Sequence, residues 1–84
     1  MYVQVGTNSS KTITMSSDKN VAVLFLSIGA TCNCYILKYN SVSDVFSTNS
    51  TTYLTVNCSS ERTYTIKNTN TTSYAIGMLI TCIY

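Results

Sequence analysis

The chain has 84 residues, four cysteines and a formal net charge of +2, and only 10% of its residues are charged, against about 25% in an ordinary globular protein. Its length predicts one domain over residues 1–84, and its five basic residues are too scattered for the clustered positive surface that binds nucleic acid. Abundant Thr, Tyr, Val and Ile favour strands and argue against helix and disorder.

The first strands are predicted where polar and apolar residues alternate. Met1–Val5 is a short extended segment. The stretch Lys11–Met15 alternates so that Ile13 and Met15 face a core. A polar loop follows, which predicts a hairpin between Lys11–Met15 and the next strand, Val21–Ile28.

Val21–Ile28 is the densest apolar run, and it resumes after Gly29 as Cys34–Tyr39. We predict two core strands joined by a turn around residues 29–33. Because both faces of Val21–Ile28 are apolar, we expect both to be covered, either by two layers or by one layer and a partner chain.

The second half of the chain is more polar and is divided by short turns. We predict a long loop or a short edge strand over residues 40–50. Three further strands are predicted at Thr52–Cys58, Arg62–Asn68 and Tyr74–Tyr84. The side chains expected to point inward from the first two of these are Leu54, Val56, Cys58, Tyr64 and Ile66. About seven strands with short turns indicate an all-β fold, a small antiparallel β-sandwich or jelly-roll-like domain.

The cysteines leave two alternatives open. Cys34, Cys58 and Cys82 are either buried free thiols or include a disulfide, in which Cys58 pairs with Cys82 or with Cys34. Only one residue separates Cys32 from Cys34, which is shorter than the usual zinc-ligand spacing, and the other two cysteines stand alone. We therefore expect no metal site.

Catalytic chemistry has no candidate residues. The chain has no histidine, its glycines are isolated, and its three acids lie in separate predicted loops, at Asp18, Asp44 and Glu61. Acid–base, nucleophilic and phosphate-binding sites each need such groups close together. We therefore expect a protein that is not an enzyme and holds no cofactor.

Tyrosine is the residue type that suggests binding. Tyr35 and Tyr39 fall on one side of their predicted strand, and Tyr84 belongs to the apolar last strand. Such side chains can stack on sugars or anchor a protein interface. The alternative is that they pack in the core or against neighbouring strands.

The first residues and the longest apolar window bear on location. Met1–Val5 lacks the basic and apolar regions of a signal peptide, so we expect synthesis in a cytosol, with secretion as the alternative. The window Val21–Leu37 is interrupted by polar residues such as Ser27 and Asn33, so we expect no transmembrane span. A small membrane-associated protein that uses this window is a third hypothesis.

Two stretches carry a resemblance to a known class of proteins. Arg62–Thr72 and Lys11–Met15 resemble the strand and turn edges of small bacteriophage virion proteins, and the whole chain is similar to them in its low charge and its Ser, Thr and Asn content. That class includes capsid-decoration proteins, head fibres and tail-fibre tips. The resemblance implies a non-enzymatic part, often a trimer, that assembles on a particle with other virion proteins.

We therefore expect a structural virion module that binds its own kind and attaches to a larger particle. The alternative is a carbohydrate- or cell-surface-binding β-sandwich module, secreted or at a fibre tip. That module would use Tyr35, Tyr39 and the Asn or Asp residues of a loop such as Asn40–Ser50 to bind a glycan of the host surface.

Overall fold

The computed structural model describes residues 1–47 and 53–81, and within these ranges the chain forms eight β-strands and no helix. The strands are β1 (Tyr2–Val5), β2 (Ser9–Thr14), β3 (Val21–Ile28), β4 (Thr31–Lys38), β5 (Ser41–Ser47), β6 (Leu54–Ser60), β7 (Thr63–Asn68) and β8 (Ala75–Thr81). They pair antiparallel in a five-stranded sheet of order β1-β8-β3-β4-β5 and a three-stranded sheet of order β2-β7-β6. The two sheets pack together, so the predicted β-sandwich is confirmed, with eight strands in place of about seven.

The two apolar runs form the predicted hairpin in the wider sheet. Val21–Ile28 is β3, as predicted, and it pairs with β4 along its full length. The turn is shorter than predicted, because only Gly29 and Ala30 lie between the two strands. Gly29 has a φ of +58°, which suits the first position of a two-residue hairpin turn.

The predicted hairpin between Lys11–Met15 and Val21–Ile28 is wrong. β2 pairs with β7 in the three-stranded sheet, and β3 lies between β4 and β8 in the other sheet. The loop between them therefore crosses from one sheet to the other. Burial explains the difference, because Ile13 is the only buried residue of β2, which suits an edge, whereas β3 is apolar on both faces and takes a central position.

The core lies between the sheets and is made by the inward side of each strand. The predicted inward side chains are buried or pack against the core: Ile13, Met15, Leu54, Val56, Cys58, Tyr64 and Ile66. Tyr64 is fully buried, and its hydroxyl donates to the Lys38 carbonyl of the opposite sheet. This hydrogen bond gives the buried phenol a partner and joins the two sheets.

One end of the sandwich is held by Arg62, in the turn between β6 and β7. Its Nε donates to the Lys19 carbonyl at 2.8 Å, and its Nη2 donates to Asn20 Oδ1 at 2.9 Å. Its Cζ lies 4.7 Å from the centre of the Tyr39 ring, within the range of a cation–π contact. Arg62 therefore joins its own turn to the β2–β3 loop and the β4–β5 turn.

The other end is held by Asn68, which is fully buried. Its Nδ2 donates to the Gly6 and Ser73 carbonyls, each at 3.1 Å, and its Oδ1 accepts from the Asn70 backbone N–H at 2.9 Å. Both the donor and the acceptor of this amide are therefore satisfied, and they join β7 to the loops that follow β1 and β7.

Gly77 allows β8 to lie between β1 and β3. It pairs with Val3 on one side and with Leu26 on the other. A Cβ at this position would overlap the Phe25 carbonyl oxygen, which is backbone and cannot turn aside. The pairing of β8 with β3 thus depends on the absence of a side chain at this position.

We expect Gly77→Ala to destabilise the fold by about 3 kcal/mol or more, because the strands must separate to admit the methyl group. Gly6→Ala is the control, since its Cβ would meet the Ser9 side chain at an ordinary 3.5 Å, and its effect is expected to stay within about 0.5 kcal/mol. Urea unfolding followed by circular dichroism measures both. A Gly77→Ala variant as stable as the wild type contradicts the close approach of β3 and β8.

Candidate functional site

The two outward surfaces of the sandwich differ in chemistry. The outward side of the three-stranded sheet, the hydroxyl face, is polar; its members are Ser10, Thr12, Thr14, Thr55, Asn57, Thr63, Thr65 and Lys67. The outward side of the five-stranded sheet, the outer face, is mostly apolar; its members include Tyr2, Val23, Phe25, Cys34, Ile36, Phe46, Ile76, Met78 and Ile80. Solvation by hydroxyl and amide groups is thus concentrated on one side of the molecule.

The outer face is continuous across its five strands. The register places one side chain from each strand in a single row: Tyr2, Met78, Phe25, Cys34 and Phe46. Met78 is 47% exposed and Phe25 is 37% exposed. Among the described residues of these strands, Lys38 at the end of β4 is the only charged one that the register places on this side. A wide apolar surface without central charge is typical of an interaction site.

A pocket of about 180 Å³ opens at the β5 edge of the sandwich. It is lined by Asn33 and Tyr35 of β4, Asp44 and residues 45–47 of β5, and Leu54 of β6. A bulge in the β4–β5 pairing, between Cys34 and Tyr35, lies beside it. Because Leu54 belongs to the opposite sheet, the pocket enters the space between the two sheets.

Two buried polar side chains line the inner part of this pocket. Asn33 is 4% exposed and Tyr35 is 5% exposed, and Asn33 Nδ2 donates to the Tyr35 hydroxyl oxygen at 3.0 Å. Asn33 Oδ1 is buried and accepts no hydrogen bond from any described residue. A buried acceptor without a donor costs about 1–3 kcal/mol, so its presence needs an explanation.

The charge state of Tyr35 decides what the pocket can donate. Burial raises the pKa of Tyr35 above its ordinary value of 10.0, the hydrogen bond from Asn33 opposes that increase, and the nearby Asp44 carboxylate adds to it. The phenol is therefore protonated at neutral pH, and its O–H is a donor. The pocket thus combines an acceptor at Asn33, a donor at Tyr35 and a carboxylate at Asp44.

The tyrosines predicted as contact residues do not come together. Tyr35 points inward and lines the pocket, so it is not part of either outward surface. Tyr39 lies in the turn after β4 rather than in the predicted strand, and the Arg62 guanidinium lies over its ring. A hydrogen bond with Glu61 raises the pKa of Tyr39. Tyr84 lies outside the described residues.

Residues 40–50, predicted to form a long loop or an edge strand, contain an edge strand, β5, and its turn. Residues 48–50 of this stretch lie outside the described residues. Asp44 is therefore held on a strand opposite Tyr35, not on a loop. Strand pairing fixes the Asp44 backbone beside the pocket, which a free loop would not do.

The cysteines occupy different faces of the sandwich. Cys34 and Cys58 are free thiols, so the disulfide considered between them does not form. Cys34 lies on the outer face of β4, and burial, together with nearby Cys32, raises the pKa of its thiol. Cys58 packs against the core from the opposite sheet, and its thiol donates to the Ser60 carbonyl at 3.0 Å. Cys82 lies outside the described residues.

Sequence reasoning missed the two features that define these sites. In the sequence, Asn33 is interpreted as a polar interruption of the apolar window Val21–Leu37. The strand register places its side chain inward, opposite Leu26. An amide at an inward position of a core strand is the signal that could have identified it. Met78 and Ile80 belong to β8, which is apolar on both sides. The alternation of polar and apolar residues therefore does not predict which side of β8 faces outward.

We expect the free energy of unfolding to fall as the pH rises above about 10, because the Tyr35 phenol stays neutral in the folded chain while the unfolded chain ionises. The stabilising contribution is complete below the unfolded pKa and is lost as the pH approaches the folded pKa. Tyr35→Phe should therefore show a smaller fall with pH than the wild type, measured by urea unfolding between about pH 8 and pH 11. Identical pH profiles of the two proteins would contradict the effect of burial at this phenol.

Within residues 1–47 and 53–81, no group of three His, Cys, Asp or Glu side chains lies close enough together to hold a metal ion. No helix in these ranges is suited to crossing a membrane. Comparisons of the chain with protein-family models, with curated proteins and with solved structures found no significant match. The outer face and the pocket are therefore the features from which a function can be inferred.

Proposed function

We propose that the protein is a non-enzymatic structural module that pairs with a second copy of itself through the outer face and attaches to a larger particle. The observation that carries this proposal is the uncovered apolar side of the five-stranded sheet. The resemblance to small bacteriophage virion proteins in charge and composition supports a virion as that particle, with the cytosol of a host as the place of synthesis.

A second copy fits the outer face in chemistry. Met78 and Phe25 lie in its central row, which carries no charge, and Lys38 lies at its margin. The formal net charge of the chain is only +2, so two copies repel each other weakly as they approach. Each copy removes apolar side chains of the other from water, as two sheets do inside a sandwich.

The area of the outer face suits a weak, specific pair. The five strands contain 34 residues in all, and at about 3.3 Å per residue and about 4.8 Å between strands they present a footprint of about 540 Å². Two copies then bury about 1,100 Å² in total, just below the range of stable specific interfaces and typical of a weak pair. We therefore expect a dissociation constant on the order of 1 µM for the isolated protein. Flat faces related by a two-fold axis favour a dimer, and the trimer that the resemblance implies stays a prediction.

Met78→Glu tests this interface, because the two-fold arrangement brings a carboxylate from each copy into one apolar layer. Like charges at an interface cost several kcal/mol, so we expect at least a roughly 100-fold weaker association. Sedimentation velocity at about 10 µM should show mostly dimer for the wild type and mostly monomer for the variant.

Thr65→Glu is the matched control, since it introduces the same charge on the hydroxyl face and should leave the dimer intact. Both variants replace side chains that point outward, so both should keep the circular dichroism spectrum of the wild type. A wild-type monomer at about 10 µM, or a Met78→Glu variant that pairs as tightly as the wild type, contradicts pairing through the outer face.

A further inference from the structure

Two buried asparagines of the sandwich differ in one respect. Asn68 is fully buried, and both polar atoms of its amide have hydrogen-bond partners within the fold. Asn33 is buried to nearly the same extent, but its Oδ1 has no partner among the described residues. Since buried polar atoms are almost always paired, the donor that Asn33 lacks points to a molecule that enters the pocket.

The polar groups around Asn33 are arranged for a ligand that both donates and accepts. The Tyr35 oxygen already accepts from Asn33 Nδ2, which leaves the Tyr35 O–H to donate into the pocket. Asn33 Oδ1 and the Asp44 carboxylate can each accept a hydrogen bond. A ring that carries neighbouring hydroxyl groups can meet one donor and two acceptors at the same time.

The size and the apolar wall of the pocket limit the ligand to one ring. A cavity of about 150 Å³ accommodates a six-membered ring such as benzene, and this pocket measures about 180 Å³. Leu54 and Val45 supply apolar contacts for the C–H faces of such a ring. One partly open side, at the β5 edge, gives a ligand access from solvent.

We propose that the pocket formed by Asn33, Tyr35, Asp44 and Leu54 binds a single neutral sugar ring. Asn33 Oδ1 is enclosed by protein atoms in this structure, so it accepts from one ring hydroxyl after a rotation of its amide toward the pocket. Tyr35 O–H donates to a ring oxygen, and Asp44 accepts from a second hydroxyl. The pocket meets the outer face at Phe46 of β5, which belongs to both, and Met78 lies three strands away on β8. Met78 does not line the pocket, so a monomeric Met78→Glu variant binds the sugar as the wild type does.

Titration of the isotope-labelled protein with methyl glycosides of glucose, galactose and mannose, followed by NMR, tests the proposal. At least one of these probes should shift the Asn33 side-chain amide and the Leu54 methyl signals in a saturable way, with a dissociation constant on the order of 1 mM. Cyclohexylammonium, a ring of similar size that carries a positive charge, is the comparison ligand.

Asn33→Leu keeps the size of the side chain and removes the unpaired acceptor, so we expect an unchanged or higher melting temperature and at least a tenfold loss of sugar affinity. Tyr35→Phe should also weaken binding about tenfold, because it removes the donor and retains the ring. Asn57→Leu makes the same chemical change on the hydroxyl face and should leave the affinity unchanged.

Two results overturn the proposal. One is that no glycoside gives a saturable shift at the pocket, in which case Asn33 Oδ1 binds water alone. The other is that cyclohexylammonium saturates the pocket and the glycosides do not, in which case Asp44 defines a site for amines. If Asn33→Leu fails to fold, titration of the wild type and of Tyr35→Phe with the glycosides still shows whether the pocket binds a sugar.

Discussion

The two sheets of the sandwich differ in width, and three strands cannot cover five. Val3 and Val5 of β1 are almost completely buried, whereas no residue of β5 is, so β5 is the less covered edge of the wider sheet. The pocket lies at that edge, between Asn33 and Tyr35 of β4, Asp44 of β5 and Leu54 of the opposite sheet. Packing is completed at the two ends by polar side chains, Arg62 at one and Asn68 at the other, which hold the loops that cross between the sheets.

The same geometry accounts for a chain with few charges. A strand that is apolar on both faces needs two covering layers, and one copy of the chain supplies only one of them to β3. The inner side of β3 is buried by the three-stranded sheet, and its outer side, with Phe25, remains exposed to solvent. In the proposed pair, a second copy on the outer face would provide the missing layer and leave two hydroxyl faces in contact with water. Hydroxyl and amide groups then do the solvating that charged side chains do in most proteins.

Local pattern predicted the described strands other than β5, because each has alternation or a dense apolar run that a single stretch of sequence displays. For β5 it left a long loop and an edge strand open. It identified the inward positions of β6 and β7, such as Leu54 and Tyr64, since only one side of those strands is apolar. It could not identify the partner of β2, because strand pairing depends on which apolar surfaces remain uncovered after the central strands have formed. It also could not locate the pocket, since Asn33 and Asp44 come together only through the β4–β5 register and the bulge beside it. The outer face and the pocket thus arise at the level of tertiary structure, where one side of a strand is distinguished from the other.

The most direct test of this account measures how exposed each methyl group is to a soluble nitroxide, by NMR, at low and high protein concentration. Pairing through the outer face predicts that the methyl groups of Met78, Ile80 and Val23 become protected as the concentration rises. The methyl groups of Thr12 and Thr65, on the hydroxyl face, should stay equally exposed at both concentrations. If the outer-face methyl groups remain as exposed as those of the threonines at high concentration, the outer face is not an interface between copies, and the central claim fails.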